Sequence, residues 1–295
     1  PLTMHTQLGV TANARAWREV VTQLRAMGSA EQKEVADKLE EEISKVTPTL
    51  LRHTEASNYQ TLSVERYTKA SKEVEDSLLG LKQSTSSPLE VALLYAISEK
   101  ELIEQLYSIL VITNSLSNQD MKASDEEKRE VILALLEDMD FFDHPHSLFK
   151  LSKIDFLVNV SEANWHQLLR HNRSMSFQYS APLAEFKVIP PEIKKIPEAL
   201  ELYEKAFTLM DDLRERLKES KSVDESMLEY LYLNGHMRRV RASASIWSLY
   251  HLINLRTSEE AQWEIREVMN SLSRKLLSVY PGLFKNAKRR LKNDK

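Results

Sequence analysis

At 295 residues the chain is long enough for one large domain or two of ordinary size. Its 42% hydrophobic and 28% charged residues, with only five glycines, describe a packed, helix-rich globular protein. A net charge of -4 argues against nucleic-acid coating as the main role while leaving room for local basic patches, and the lack of cysteine excludes disulfides, thiolate nucleophiles and cysteine metal sites, which fits a cytoplasmic protein. The longest apolar runs, Val91–Ile97 and Ile109–Ile112, are too short to span a bilayer, and no signal-peptide pattern stands at the start.

In chain order, Leu2 to Val10 is short and mixed and reads as a strand. Helical spacing takes over from about Ala14 to Ile43. Residues 54–88 are rich in Ser, Thr, Glu and Lys and end in Ser84-Thr85-Ser86-Ser87-Pro88, the composition of a linker holding one helix, about Val64 to Leu81. A long apolar helix is expected from about Leu89 to Ile112. Ser124 with Glu127 forms a capping box for a helix running to about Met139. The alternation from Phe149 through Ile154, Phe156 and Val158 to Val160 predicts a strand with one buried face. Helix resumes at Glu162, residues 176–188 are extended, and Leu200, Tyr203, Phe207, Met210, Leu213 and Leu217 mark one face of a long helix. A last helical region is expected from about Ser226 to Leu255. The fold class is α+β with helices dominant.

One segment occurs twice. Leu24-Arg25, Gln32, Glu34-Val35 and Pro48 return as Leu255-Arg256, Gln262, Glu264-Ile265 and Pro281. A repeat returning after about 230 residues is too long in period for a solenoid and implies two copies of a whole domain. Residues 1–53 would be the tail of a first copy, 54–88 a linker, and 89–295 a second copy. With Pro1 in place of Met, this predicts sequence ahead of the chain.

The densest polar constellation is His166-Gln167-Leu168-Leu169-Arg170-His171-Asn172-Arg173-Ser174-Met175-Ser176. Helical spacing places His166 with Arg170 and Gln167 with His171. An arginine fork grips two oxygens of an anion and an imidazole can donate a further hydrogen bond, so this segment suits phosphate; a solvated basic helix end is the alternative. His144-Pro145-His146 reads as a polar turn, and His236 with Arg238, Arg239 and Arg241 as a solvated helix face or an anion site. Trp165, Trp247 and Trp263 read as core or interface anchors.

The constellation resembles the H-Q-x-x-R-H-R signature of the flavin-dependent thymidylate synthases. His146-Ser147 resembles the family's preceding G-H-x-S element, and Leu255-Arg256 with Ala261-Gln262-Trp263-Glu264-Ile265-Arg266 its closing L-R…A-Q-x-E-I-R helix. Pro1-Leu2, Thr6 and Asn13-Ala14-Arg15 resemble its L-P…T…N-A-R hairpin. The resemblance implies an α+β homo-oligomer, an antiparallel sheet flanked by long helices, that methylates dUMP to dTMP. FAD would relay reducing equivalents from NADPH, and methylenetetrahydrofolate would supply the carbon. By motif position Gln167, Arg170 and Ser176 would contact dUMP, and Asn13, Arg15, His146, His171 and Arg173 would contact FAD. Arg25 and Arg256 would be the catalytic arginines that steer the nucleotide.

The second copy departs from this pattern. Asn172 replaces the third motif arginine, Gln178-Tyr179-Ser180-Ala181-Pro182 replaces N-E-x-S-x-R-Y, and Ser245-Ile246-Trp247 stands in place of N-A-R. Each lost charged contact removes about 1.5–3 kcal/mol of anion binding. The sequence therefore supports a thymidylate synthase-like protein whose complete copy is non-catalytic, with two alternatives: an assembly domain supporting an active copy, or a phosphate- or nucleic-acid-binding module.

Overall fold

The computed structural model describes residues 7, 9–49, 51–78, 91–114, 123–139 and 143–288. It divides into two compact units, one within Met4–Thr85 and one within Ser86–Lys295. The strand expected at Leu2–Val10 falls largely outside the described residues.

The smaller unit is helical: α1 (Ala14–Met27), α2 (Ala30–Val46) and α3 (Asn58–Leu78). Asn13 caps α1, its Oδ1 accepting from Ala16 N at 3.0 Å. Gly28 ends the helix at φ +85, a left-handed conformation that costs glycine least, and Ser29 and Gln32 then close a capping box that opens α2. Val21 and Ala36 are buried in the hairpin, beside an Arg25 network described below. Asn13→Ala removes one satisfied backbone donor and should lower the unit's stability by about 1 kcal/mol, read by urea unfolding.

The larger unit is built on five antiparallel strands. Strands β1 (Val91–Leu94), β2 (Ile154–Ser161), β5 (His236–Ala244) and β3 (Met175–Tyr179) lie in that order, and β4 (Leu183–Lys187) pairs with β5 beyond the end of β3. The register sets Val91 beside Val158 and Val158 beside Val240, so Phe156, Val158, Val160, Val240, Ala242 and Ala244 share one buried face. With them in one core lie the apolar residues of α4 (Glu99–Asn114), α9 (Ile246–Arg256) and α10 (Trp263–Val279). The remaining helices are α5 (Asp125–Ala134), α6 (Glu162–Leu168), α7 (Pro191–Lys194) and α8 (Pro197–Ser220). The fold is α+β, helix-dominated, with an antiparallel sheet. Among the described residues no helix is long and apolar enough to cross a membrane.

Several expected elements change type. The apolar helix expected from Leu89 is instead β1 followed by α4, because Val91 and its neighbours pair with β2 and a cap at Ser98, closed by Glu101, starts the helix. A short apolar run has no period that separates strand from buried helix. The helical region expected over 226–255 contains β5, a central strand; Arg238, Arg239 and Arg241 mask its alternation of Val240, Ala242 and Ala244. Residues 147–151 form a 3-10 turn burying Leu148 and Phe149, so β2 begins only at Ile154. The capping box at Ser124 and Glu127 forms as expected, but α5 stops at Ala134.

Candidate functional site

The polar constellation lies between two fixed points. At its start, Ser161 caps α6 and is itself bound by Glu264 of α10, whose carboxylate accepts from Ser161 N at 2.7 Å and from Ser161 Oγ at 2.5 Å. Glu162 accepts from Arg238 Nε at 2.5 Å, and the same guanidinium donates to Ser180 O at 2.5 Å. Both glutamates are at most 2% exposed. Burial pushes the Glu264 carboxyl up, against the pull of its hydrogen bonds from Ser161. Arg238 is thus the partner of the buried Glu162 and His236 is fully buried against Asp211, while Arg241 pairs with Asp155 from an exposed position; the stretch is a strand and not a helix face.

At its end, α6 tightens into a 3-10 turn at Leu169–His171. This presents Arg170 to solvent and buries His171, whose Nε2 accepts from Arg256 Nε of α9 at 3.1 Å. His251, on the preceding turns of α9, lies 6.1 Å from the His171 ring. His144 lies 5.5 Å from His251 and stacks on Trp247 at 4.9 Å, and Lys150 sits 4.5 Å over that indole. Three histidines therefore lead from the exposed His144 to the buried His171.

The charges in this cluster repel one another. The His171 imidazole is pushed down to about 4 by burial and by the nearby Arg256, His251 and Arg170. His251 is lowered by burial, His144 and Arg256, and Arg256 by burial and Arg170. Among the described residues no carboxylate forms an ion pair with Arg170, Arg173 or Arg256. An uncompensated, partly buried cation cluster is the electrostatic complement of an anion such as phosphate. It also has a pH signature. Because the folded imidazole binds its proton only near 4 and the unfolded one near 6.5, the unfolded chain takes up that proton first as pH falls. Stability is whole above about 6.5 and should fall by up to about 3 kcal/mol towards pH 4. Urea unfolding followed by tryptophan fluorescence should show this loss, and His171→Gln should flatten it.

Of the residues that the sequence singled out, the structure brings Arg170, His171 and Arg256 together. Gln167 is half-buried on α6 just before them, and Arg173 is exposed in the turn that follows. Ser176 is exposed on β3 opposite Ser243. His146 is exposed and its Nδ1 accepts from Leu148 N at 3.2 Å, while His144 lies in the cluster. In the helical unit Asn13 is a helix cap and Arg15 is exposed. Arg25 is bound to Asp37 at 2.7 Å, to Glu40 at 2.6 Å and to Thr54 at 2.8 Å; the Asp37 hydrogen bond leads in raising its guanidinium pKa. Arg25 and Arg256 thus share a place in the repeat but not an environment. Sequence reasoning named Trp247 only as a core or interface anchor and missed His251 and the Ser161–Glu264 pair. The spacing of Trp247 and His251, four apart on the helix that ends in Arg256, was the available signal.

Fold and site now define a class: an antiparallel-sheet α+β domain with a cation cluster between a short motif helix and a helical hairpin. Residues 92–282 match the family described as thymidylate synthase complementing protein, and the chain belongs to that family. It is 27% identical over 147 residues to a flavin-dependent thymidylate synthase of Clostridium tetani, a match covering 43% of this chain and 58% of that one. A flavin-dependent thymidylate synthase of Pyrococcus furiosus is 33% identical over 133 residues, covering 42% of this chain and 52% of the relative. The chain thus spans little more than half the length of the curated relatives it matches. Among solved structures it is similar to a UMP/dUMP methylase from Streptomyces cacaoi bound with 5-bromo-dUMP, with a TM-score of 0.51 and 17% identity over 68% of this chain and 94% of that one, a likeness of fold.

Proposed function

We propose that the Ser86–Lys295 unit is a flavin-dependent thymidylate synthase-like domain that binds the phosphate of dUMP but does not by itself complete the methyl transfer. One observation carries the reading: Arg256, held against the buried His171 beside Arg170, meets no carboxylate among the described residues. Arg170 and Arg256 would grip phosphate oxygens. His171, kept neutral, accepts the Arg256 Nε–H and so orients the guanidinium while leaving its other N–H groups for the ligand. Gln167 and Ser176 would contact the rest of the nucleotide.

FAD is the cofactor in this reading and supplies reducing equivalents when bound, with NADPH and methylenetetrahydrofolate as co-substrates. The donor chemistry here fits its phosphates, through the exposed Arg173. His146, whose Nδ1 accepts from Leu148 N, would keep its Nε2–H as a further donor, whereas His171 is buried with its Nε2 taken up by Arg256. Asn13 and Arg15 belong to the other unit, which we read as the tail of a first copy, so a complete pocket would need pairing between copies. The losses at Asn172 and at Ser245-Ile246-Trp247 favour the same conclusion, that this copy supports an active partner.

The test is a pair of assays on the full chain. The reading predicts dUMP binding with no dTMP formed from dUMP, methylenetetrahydrofolate, NADPH and FAD. Turnover by the chain alone would overturn the non-catalytic reading, and a lack of any dUMP binding would overturn the site.

A further inference from the structure

We propose that Glu264 is a positioning residue for the anion site: with Arg256 it lets the α9–α10 hairpin grip both ends of the motif segment, Arg256 at His171 and Glu264 at Ser161. The inference rests on the reading of that cluster as a phosphate site. Its basis is a set of buried contacts. Ser161 Oγ donates to Glu264 and accepts from Asn164 N at 3.1 Å, so one hydroxyl ties α10 to the first turn of α6. The backbone N–H of Ser161 is held by the other oxygen of the same carboxylate. All three residues are buried, where each such bond fixes direction as well as distance.

The motif helix is a single short element, Glu162–Leu168, running directly into the turn that carries Arg170 and His171. A rotation at its capped end therefore carries through to the guanidinium at the other. Anchoring one end at β5 through Arg238 and Glu162, and both ends at the hairpin, fixes where Arg170 stands relative to Arg256. The helix of the first repeat shows the contrast. Its counterpart by motif letters, Glu34, is two-thirds exposed and pairs with Lys38 one turn along its own helix, at 2.5 Å.

The test uses the full chain with labelled histidine and follows the His171 and His236 ring resonances by NMR across pH. In the native chain His171 should titrate near 4. In Glu264→Ala the grip at Ser161 is lost, and His171 should titrate at least one unit higher while the buried His236 is unmoved. Glu264→Gln, which keeps an acceptor for Ser161 N, should fall between and secures the test where the alanine variant does not fold. Affinity for dUMP should fall at least tenfold in the alanine variant and less in the glutamine one. An unchanged His171 titration in a folded variant would overturn the proposal. So would equal disturbance of His171 and His236, which marks a structural role alone. The NMR readout needs no ligand, so a native chain that shows no dUMP binding refutes the phosphate site while the grip is still judged.

Discussion

Replacing Arg256 with glutamine is expected to weaken dUMP binding roughly ten- to a hundredfold, because a charge-assisted hydrogen bond to a buried anion contributes about 1.5–3 kcal/mol. The side chain has no carboxylate partner among the described residues, and burial together with Arg170 already lowers its pKa. Removing it relieves the repulsion from Arg170 in the free protein but also deletes the hydrogen bond to the buried His171. The loss should be larger in the complex than in the free protein, and His171, freed of its nearest cation, should titrate above 4. Equilibrium binding by calorimetry measures the first effect and histidine NMR the second. The same substitution at Arg25 should leave dUMP affinity unchanged, since Asp37, Glu40 and Thr54 already take its donors.

The largest stability effect is expected at Arg238. Its guanidinium is the charged partner of Glu162, which is 1% exposed, and it also satisfies Ser180 O. Arg238→Met leaves a buried carboxylate without a counter-charge and should cost about 3–5 kcal/mol, enough to unfold a marginal domain. Adding Glu162→Leu should restore most of that loss, because an apolar pair of similar volume avoids the desolvation cost of both charges. Urea denaturation of the single and double variants gives the comparison. A single variant as stable as the parent would mean that the pair is not buried in solution as it is in the structure.

Much of this molecule was legible in the sequence where local chemistry decides structure. The capping box at Ser124 and Glu127 and the long face of α8 form where expected, and the alternation around Ile154–Val160 marks the central strand β2. What was lost is what non-local pairing decides. Val91–Leu94 becomes a strand because β2 lies beside it, and His236–Ala244 because β2 flanks it on one side and β3 and β4 on the other. Arg238 reads as solvent-facing until Glu162 is placed beside it, and Arg239 until Asn159 is, while Arg241 stays exposed with Asp155 as its partner.

The repeat shows the same limit. Gln32 is the third residue of α2 and closes its capping box, whereas Gln262 is itself the cap of α10. Aligned by their shared glutamine, the buried Ala36 meets the half-buried Arg266; aligned by their caps, it meets the buried Met269. Motif letters carried the family resemblance, but burial sets a different register. At the site, Arg170, His171 and Arg256 were named from the motif, while His251 and Glu264 needed the packing of α9 and α10 to acquire a role.

The central claim is that a cation cluster built by α6 and α9 recognises the nucleotide through its phosphate. Calorimetric titration of the full chain with dUMP and, separately, with deoxyuridine addresses it most directly. The two ligands differ only in that group. The account predicts that dUMP binds at least tenfold more tightly, with an affinity that falls as salt rises. Equal affinity for the two, or none for dUMP, would contradict it.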